Sequence, residues 1–302
     1  MSQTKIPNDV VKFCHYVVTI IDVLGQSEKM SQLTSIPQTP EQKAAFIGVL
    51  KQTFGTVNGL RSQFKNFFEK YRKPQYVPGS PTGDNVAAMM EGPMERADLR
   101  LGTQFFADLF LFYAPVYKVE DHFSMEELYA MLIASAMLMQ VSLAAQIALR
   151  GGIDIGIAAE MQPNEVYGNA LCRAHYLESR VAQFPRIAVG REVLVLVGLE
   201  ASRVWAGLSG MLNSIRAGLC VKLIQVDFDG ILSVDFLGTA MREIAGQIDS
   251  GYRDMIQKGH NFVVSEHQRF MAKASVSDSC RKLAMRYGLL RGYYESRIGL
   301  WT

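Results

Sequence analysis

Two aspartates stand where they could share a hard cation. "VVTIIDVLGQ" runs a β-favouring stretch straight into Asp22, and "SPTGDN" places Asp84 behind a glycine in a turn-rich segment. A carboxylate closing a buried strand is costly unless something compensates its charge. One reading makes Asp22 the N-cap of a following helix, a role that aspartate fills well. The other makes it a metal ligand. Mg²⁺ and Mn²⁺ prefer carboxylate oxygens, and Mg²⁺ often binds through one or two carboxylates plus substrate phosphates. A pair of such ions can stabilise both the attacking and the leaving oxygen of a phosphoryl transfer. The backbone N–H groups around Gly25, Gln26 and Ser27 would then point at an anion at the next helix start. Asp84 has a plain alternative as a solvated turn residue.

Other candidates carry less chemistry. Arg186 opens a short predicted strand; its forked donors suit a triphosphate, and they suit a salt bridge equally well. Arg150 invites the same two readings, with the structural one favoured. His260 and His267 lie seven apart and would share a helix face, but no third ligand accompanies them and they read as solvated. His15 and His175 belong to no motif. Cys14, Cys172, Cys220 and Cys280 form no CxxC pair, so no zinc-type spacing exists. Thiols so widely spaced fit a reducing cytoplasm, the localisation expected here.

The elements that must position these residues follow from periodicity. The chain has 302 residues, 49% apolar and 20% charged, with a net charge of +2. Its scattered basic residues argue against a dedicated nucleic-acid surface. Residues 16–22 read as a buried strand. Thr39, Pro40 and Gln42 supply an N-cap, an N1 proline and an N3 partner for a helix whose Phe46, Leu50, Phe54, Val57, Leu60, Phe64 and Phe67 recur every three or four residues. "VPGSPTGDN" (77–85) reads as a hairpin tip, and Phe105 to Phe112 as helical. Leu128 to Leu149 carries no charge and is long enough to span a bilayer. Its Ser and Gln residues, and a capping box at Ser124 and Glu127, favour a helix buried in a soluble fold instead; no membrane association is expected. Residues 151–159 and 186–190 read as strands, 169–184 and 191–217 as helical, 220–230 as a strand and turn, and 237–259 and 263–298 as mostly helical. The order predicts an α+β fold with helices on one face of a sheet. A soft boundary near 215 separates a mixed domain (1–215) from a mostly helical C-terminal region (216–302).

Taken together, strand–Asp22–Gly25, the "GDN" turn with Asp84, "RGGIDIG", "VYGNALCRAHYLES" and "FPRI" come in the order of class III nucleotide cyclases. The set most closely resembles the bacterial pyrimidine cyclases of the Pycsar antiphage systems, over most of residues 14–190. The resemblance implies a ferredoxin-like cyclase core working as a head-to-tail homodimer with its active sites at the subunit interface. It implies Asp22 and Asp84 as the ligands of two Mn²⁺ or Mg²⁺ ions, with the Val23 carbonyl as an extra ligand, and Leu24, Gly25, Gln26 and Ser27 as the triphosphate turn. The reaction implied is attack of the ribose 3′-oxygen on the α-phosphate. UTP giving cyclic UMP is the first choice and CTP giving cyclic CMP the second. The product would act on a separate effector in antiviral defence.

Departures bear on the chemistry. Aligned on Gly168, Cys172 and Tyr176 stand where adenylyl and guanylyl cyclases carry the Asn and Arg that steady the transition state. Arg173 and Arg180 could substitute if the helix is rotated. The purine-selecting Lys of adenylyl cyclases has no counterpart near Asp84, which favours a pyrimidine. Asn164 and Tyr167, just ahead of Gly168, are the candidates for reading the base. The same departures leave open a degenerate cyclase fold that binds nucleotide, or only dimerises, without turnover.

Overall fold

The sheet is built around β1 (Lys12–Val23), whose alternate residues serve two cores. Val17, Ile21 and Val23 face one layer, and Tyr16, Val18 and Ile20 the other. That is why the strand reads as a continuous apolar run. In this computed structural model the described residues are 12–25, 34–73, 77–79, 101–106, 108–119, 122–162, 165–203, 207–246 and 250–301. β3 (Leu109–Val116) and β6 (Leu149–Gln162) flank β1 antiparallel, with Asp22 opposite Leu109 on one side and Arg150 on the other. β2 (Gly102–Phe106) forms a hairpin with β3. β4 (Lys118–Val119) and β5 (His122–Phe123) pair separately. Beyond β6 lie β8 (Ile187–Val189), parallel to it, and then β10 (Leu232–Val234) and β9 (Ile224–Val226). β7 (Glu165–Gly168) folds back on the far end of β6, with Tyr167 opposite Ala159.

Helix α1 (Pro40–Tyr71) starts on the expected capping box, with Thr39 accepting from the Gln42 amide, and buries Leu60, Phe64, Phe68 and Tyr71. Phe64 stacks on Phe112 of the sheet with centroids 3.8 Å apart. Helix α2 (Glu126–Ala144) is long and apolar enough to cross a membrane, yet 89% of that window is buried inside the fold. It packs between the sheet and helices α1, α5 (Gly207–Lys222) and α7 (Ser250–Met271), so apolar contacts surround it on every side. Helix α3 (Asn169–Tyr176) and the π-helical turn Leu177–Val181 cover the opposite face. The sheet admits them at Gly152, where an added Cβ would lie 2.4 Å from the Ala174 carbonyl. Helices α4 (Arg191–Ala201), α6 (Thr239–Ala245) and α8 (Asp278–Arg297) complete the order, α8 pairing with α7. The fold is α+β as expected, but helices lie on both faces of the sheet rather than one.

Four local expectations are corrected. Phe105 to Phe112 is a hairpin, not a helix. Phe110 and Phe112 enter one core while Leu111 and Tyr113 enter the other, so burial on both faces erased the alternation that marks a strand. The boundary near 215 falls inside α5, and the strands after it, β9 and β10, extend the same sheet. Helix α2 begins after Met125 rather than on a capping box, although Ser124 Oγ does accept from the Glu126 amide at 3.3 Å. His260 Nε2 and His267 Nδ1 are buried rather than solvated; His260 stacks on Tyr294 of α8 and His267 lies against Gly288.

The first turn of α2 makes stability depend on pH. Glu126 pairs with Arg72 at 3.0 Å and Arg216 at 3.3 Å, whereas Glu127 points inward and is 3% exposed. Burial, then the neighbouring Glu126 charge, pushes the Glu127 carboxyl from 4.5 up to about 7. A carboxyl raised on folding favours the folded state most below its unfolded pKa, and that contribution is lost as pH climbs through the folded pKa. Stability should therefore fall between pH 4.5 and 7 by roughly 3 kcal/mol from this group. Glu127→Gln should flatten that slope in urea unfolding at pH 5 and pH 8; an unchanged slope would mean that Glu127 stays ionised in the fold.

Candidate metal and nucleotide site

Asp22 ends β1 at one end of the sheet, beside the β2–β3 hairpin turn. The Val23 amide donates to the Asp108 carbonyl at 3.1 Å, which fixes that turn against the end of β1. The two carboxylates are close enough to repel. Burial pushes the Asp22 carboxyl above its usual range, Arg150 opposes this, and the Asp108 charge adds to it. Among the described residues, the hairpin aspartate beside Asp22 is Asp108. Asp84 lies outside the described residues, as do Gln26, Ser27 and Asn164. The signal for Asp108 was present in "QFFADLFLFY", where one aspartate interrupts two aromatic runs. Reading the segment as a helix concealed it.

Arg150, directly across from Asp22, supplies the compensating charge. Its Nε donates to Asp22 Oδ2 at 3.0 Å and lies 2.9 Å from Glu178 Oε1 on the π-helical turn. Glu178 was quoted within "HYLES" but given no role by sequence reasoning. Burial raises its carboxyl, with Arg150 pulling the other way. One guanidinium therefore serves two carboxylates, with Asp108 adjacent.

Gly25 adopts φ +83° with open space around it and is exposed. The Leu24 amide is already spent on the Ala148 carbonyl at 2.9 Å, so it cannot donate to a phosphate without breaking that bond. The Val23 side chain is buried in the core.

Arg186 is not a free phosphate ligand. It is 3% exposed, and its terminal nitrogens reach Asp227 Oδ2 at 3.1 Å, Asp229 Oδ2 at 2.7 Å and the Val181 carbonyl at 3.0 Å. Its guanidinium also lies 4.3 Å from the Phe184 ring centroid. The hydrogen bond from Arg186 holds the Asp229 carboxyl below its usual range. The β9–β10 turn, "DFDG", encloses the guanidinium and occupies both terminal nitrogens; Nε is buried without a hydrogen-bond partner among the described residues.

Tyr167, a base-reading candidate, lies far from Asp22 along the sheet. Tyr167 is 75% exposed and opposes Ala159, nine positions along β6 from Arg150. At about 3.3 Å per residue that is roughly 30 Å from Asp22. Cys172 and Tyr176 are exposed one turn apart on α3. Arg173, a candidate substitute cation, is held by Asp154 at 2.8 Å and by the Ile155 carbonyl. Arg180 is exposed on the π-helical turn. One chain therefore does not bring Tyr167 to Asp22 and Asp108.

The donor set at Asp22 and Asp108 is of the kind a hard divalent cation takes, anionic oxygens, with Asp22 already paired to Arg150. Among the described residues no group of three or more His, Cys, Asp or Glu side chains gathers. Two carboxylates suffice only where phosphates and water supply the remaining oxygens, which is the coordination that Mg²⁺ favours in nucleotide sites. Compared with known proteins, the chain matches no family model and no curated protein.

Proposed function

We propose that the chain is a pyrimidine nucleotide cyclase that converts UTP to 3′,5′-cyclic UMP and pyrophosphate. The observation that carries this reading is the meeting of Asp22 and Asp108 beside Arg150 at one sheet end. The second support is the separation of Tyr167 from that end along β6. A head-to-tail homodimer would set the Asp22 end of one protomer against the Tyr167 end of its partner, completing a site that one chain leaves in halves. The β2–β3 turn makes Asp108, not Asp84, the proposed second ligand.

In the reaction the ribose 3′-oxygen forms a bond to the α-phosphorus. The bond from that phosphorus to the bridging oxygen breaks, pyrophosphate leaves with the electron pair, and the 3′-hydroxyl proton passes to solvent. Asp22 and Asp108 would hold the cations, and the open left-handed turn at Gly25 would let the backbone after β1 approach the phosphates. Arg150 keeps the end of the sheet from becoming wholly acidic. Bound there, Mn²⁺ or Mg²⁺ would make the 3′-hydroxyl more acidic and neutralise the charge developing on the phosphate. Most of the acceleration in such chemistry is positioning and electrostatics. The setting proposed is cytoplasmic, with the cyclic product acting on a separate effector.

The pairing of Arg173 with Asp154 favours a second reading, a cyclase fold that binds nucleotide without turnover. Incubation with each of the four nucleoside triphosphates and Mn²⁺ separates the two. The first reading predicts cyclic UMP and pyrophosphate from UTP, with slower conversion of CTP. No cyclic product from any of the four would overturn it.

A further inference from the structure

Arg150 has a single Nε–H, and two carboxylates compete for it. The hydrogen bond goes to Asp22 Oδ2 at 3.0 Å. Glu178 Oε1 lies 2.9 Å from the same nitrogen as an ion pair, while the N–H itself is aimed at Asp22. The Glu178 side chain is 2% exposed, and its backbone sits directly on Gly152, so that oxygen has no access to solvent. Its other oxygen is 3.8 Å from Nδ1 of the exposed His175. With both acceptors inside hydrogen-bond distance of one N–H, a small rotation of the guanidinium moves the bond from one carboxylate to the other. The arrangement has two hydrogen-bonded states, and only one of them uses Asp22.

We propose that Glu178 is the alternative acceptor for Arg150: once Asp22 is engaged by a divalent cation, the Nε–H passes from Asp22 to Glu178. This rests on the reading of Asp22 and Asp108 as cation ligands. Without Glu178, freeing Asp22 would leave the Arg150 N–H without a partner in a partly buried site, and Arg150 would compete with the cation. With it, the hydrogen bond moves rather than disappears, and Glu178 draws the guanidinium off Asp22, the carboxylate that the cation needs. Glu178 is then a positioning residue whose influence on metal affinity runs through Arg150. Residues that orient the ligands of a metal typically change its affinity 10–100-fold.

The test titrates the full chain with Mn²⁺ and reads the free ion by electron paramagnetic resonance. Asp22→Asn should abolish tight binding. Glu178→Gln should weaken it about tenfold. In an Arg150→Ala background the same Glu178→Gln change should cost no more than about twofold, since the hand-over no longer exists. A plain through-space charge effect would be equal in both backgrounds, and that result would overturn the proposal. Unchanged binding in Asp22→Asn would instead overturn the metal-site reading. Should Glu178→Gln fail to fold, the wild-type chain decides. The Arg150 Nε–H resonance, assigned by its loss in Arg150→Lys, should shift yet stay protected from water exchange as Mg²⁺ is added. Its disappearance into exchange would contradict the hand-over.

Discussion

Asp108→Ala should lower UTP turnover by roughly 10³-fold or more, a loss of about 4 kcal/mol of transition-state stabilisation, while leaving the protein folded. Asp22→Ala should do the same. Neither change should unfold the chain. Asp108 sits in a partly exposed hairpin turn, and its removal relieves a charge that pushes the Asp22 carboxyl upward. Removing Asp22 does not strand Arg150, because Glu178 Oε1 is already 2.9 Å away. Initial rates and thermal unfolding, measured side by side, check both points. Asp84→Ala, by contrast, should change turnover by no more than a few-fold. An Asp84→Ala loss as large as that of Asp22→Ala, with Asp108→Ala near wild type, would move the second ligand to the segment preceding β2.

Arg186→Met should have the largest effect on stability, roughly 3–5 kcal/mol, with activity per folded molecule preserved. The guanidinium is buried and holds Asp227, Asp229 and the Val181 carbonyl, so it ties the β9–β10 turn to the end of the π-helical segment. Its removal leaves Asp227, whose side chain is only 10% exposed, without its cation. Urea unfolding measures the loss. A stable Arg186→Met protein that had lost affinity for UTP would reinstate the phosphate contact that the sequence admits for this residue.

What the sequence disclosed depended on whether burial was one-sided. Helix α1 was readable because one face is exposed, so Leu60 and Phe64 stand out at helical spacing above a capping box. Strand β1 was readable because β-branched residues crowd it. The β2–β3 hairpin was not, since Phe110 to Tyr113 are buried on both faces and such a run cannot be told from a buried helix by period alone. With the hairpin read as a helix, Asp108 was not weighed as a neighbour of Asp22. The Arg186 ambiguity could not be resolved from its own segment, because its partners come from "DFDG", some 40 residues further on. The Arg150–Glu178 contact is likewise set by tertiary structure, through the seating of α3 on Gly152.

The most direct measurement is phosphorus NMR of UTP incubated with the purified chain and Mn²⁺, the metal removed by chelation before the spectrum is taken. The account predicts that the triphosphate signals give way to one cyclic phosphodiester and pyrophosphate in equal amounts, and that Asp108→Ala suppresses both. UTP left intact, or converted to UDP and inorganic phosphate, would contradict it.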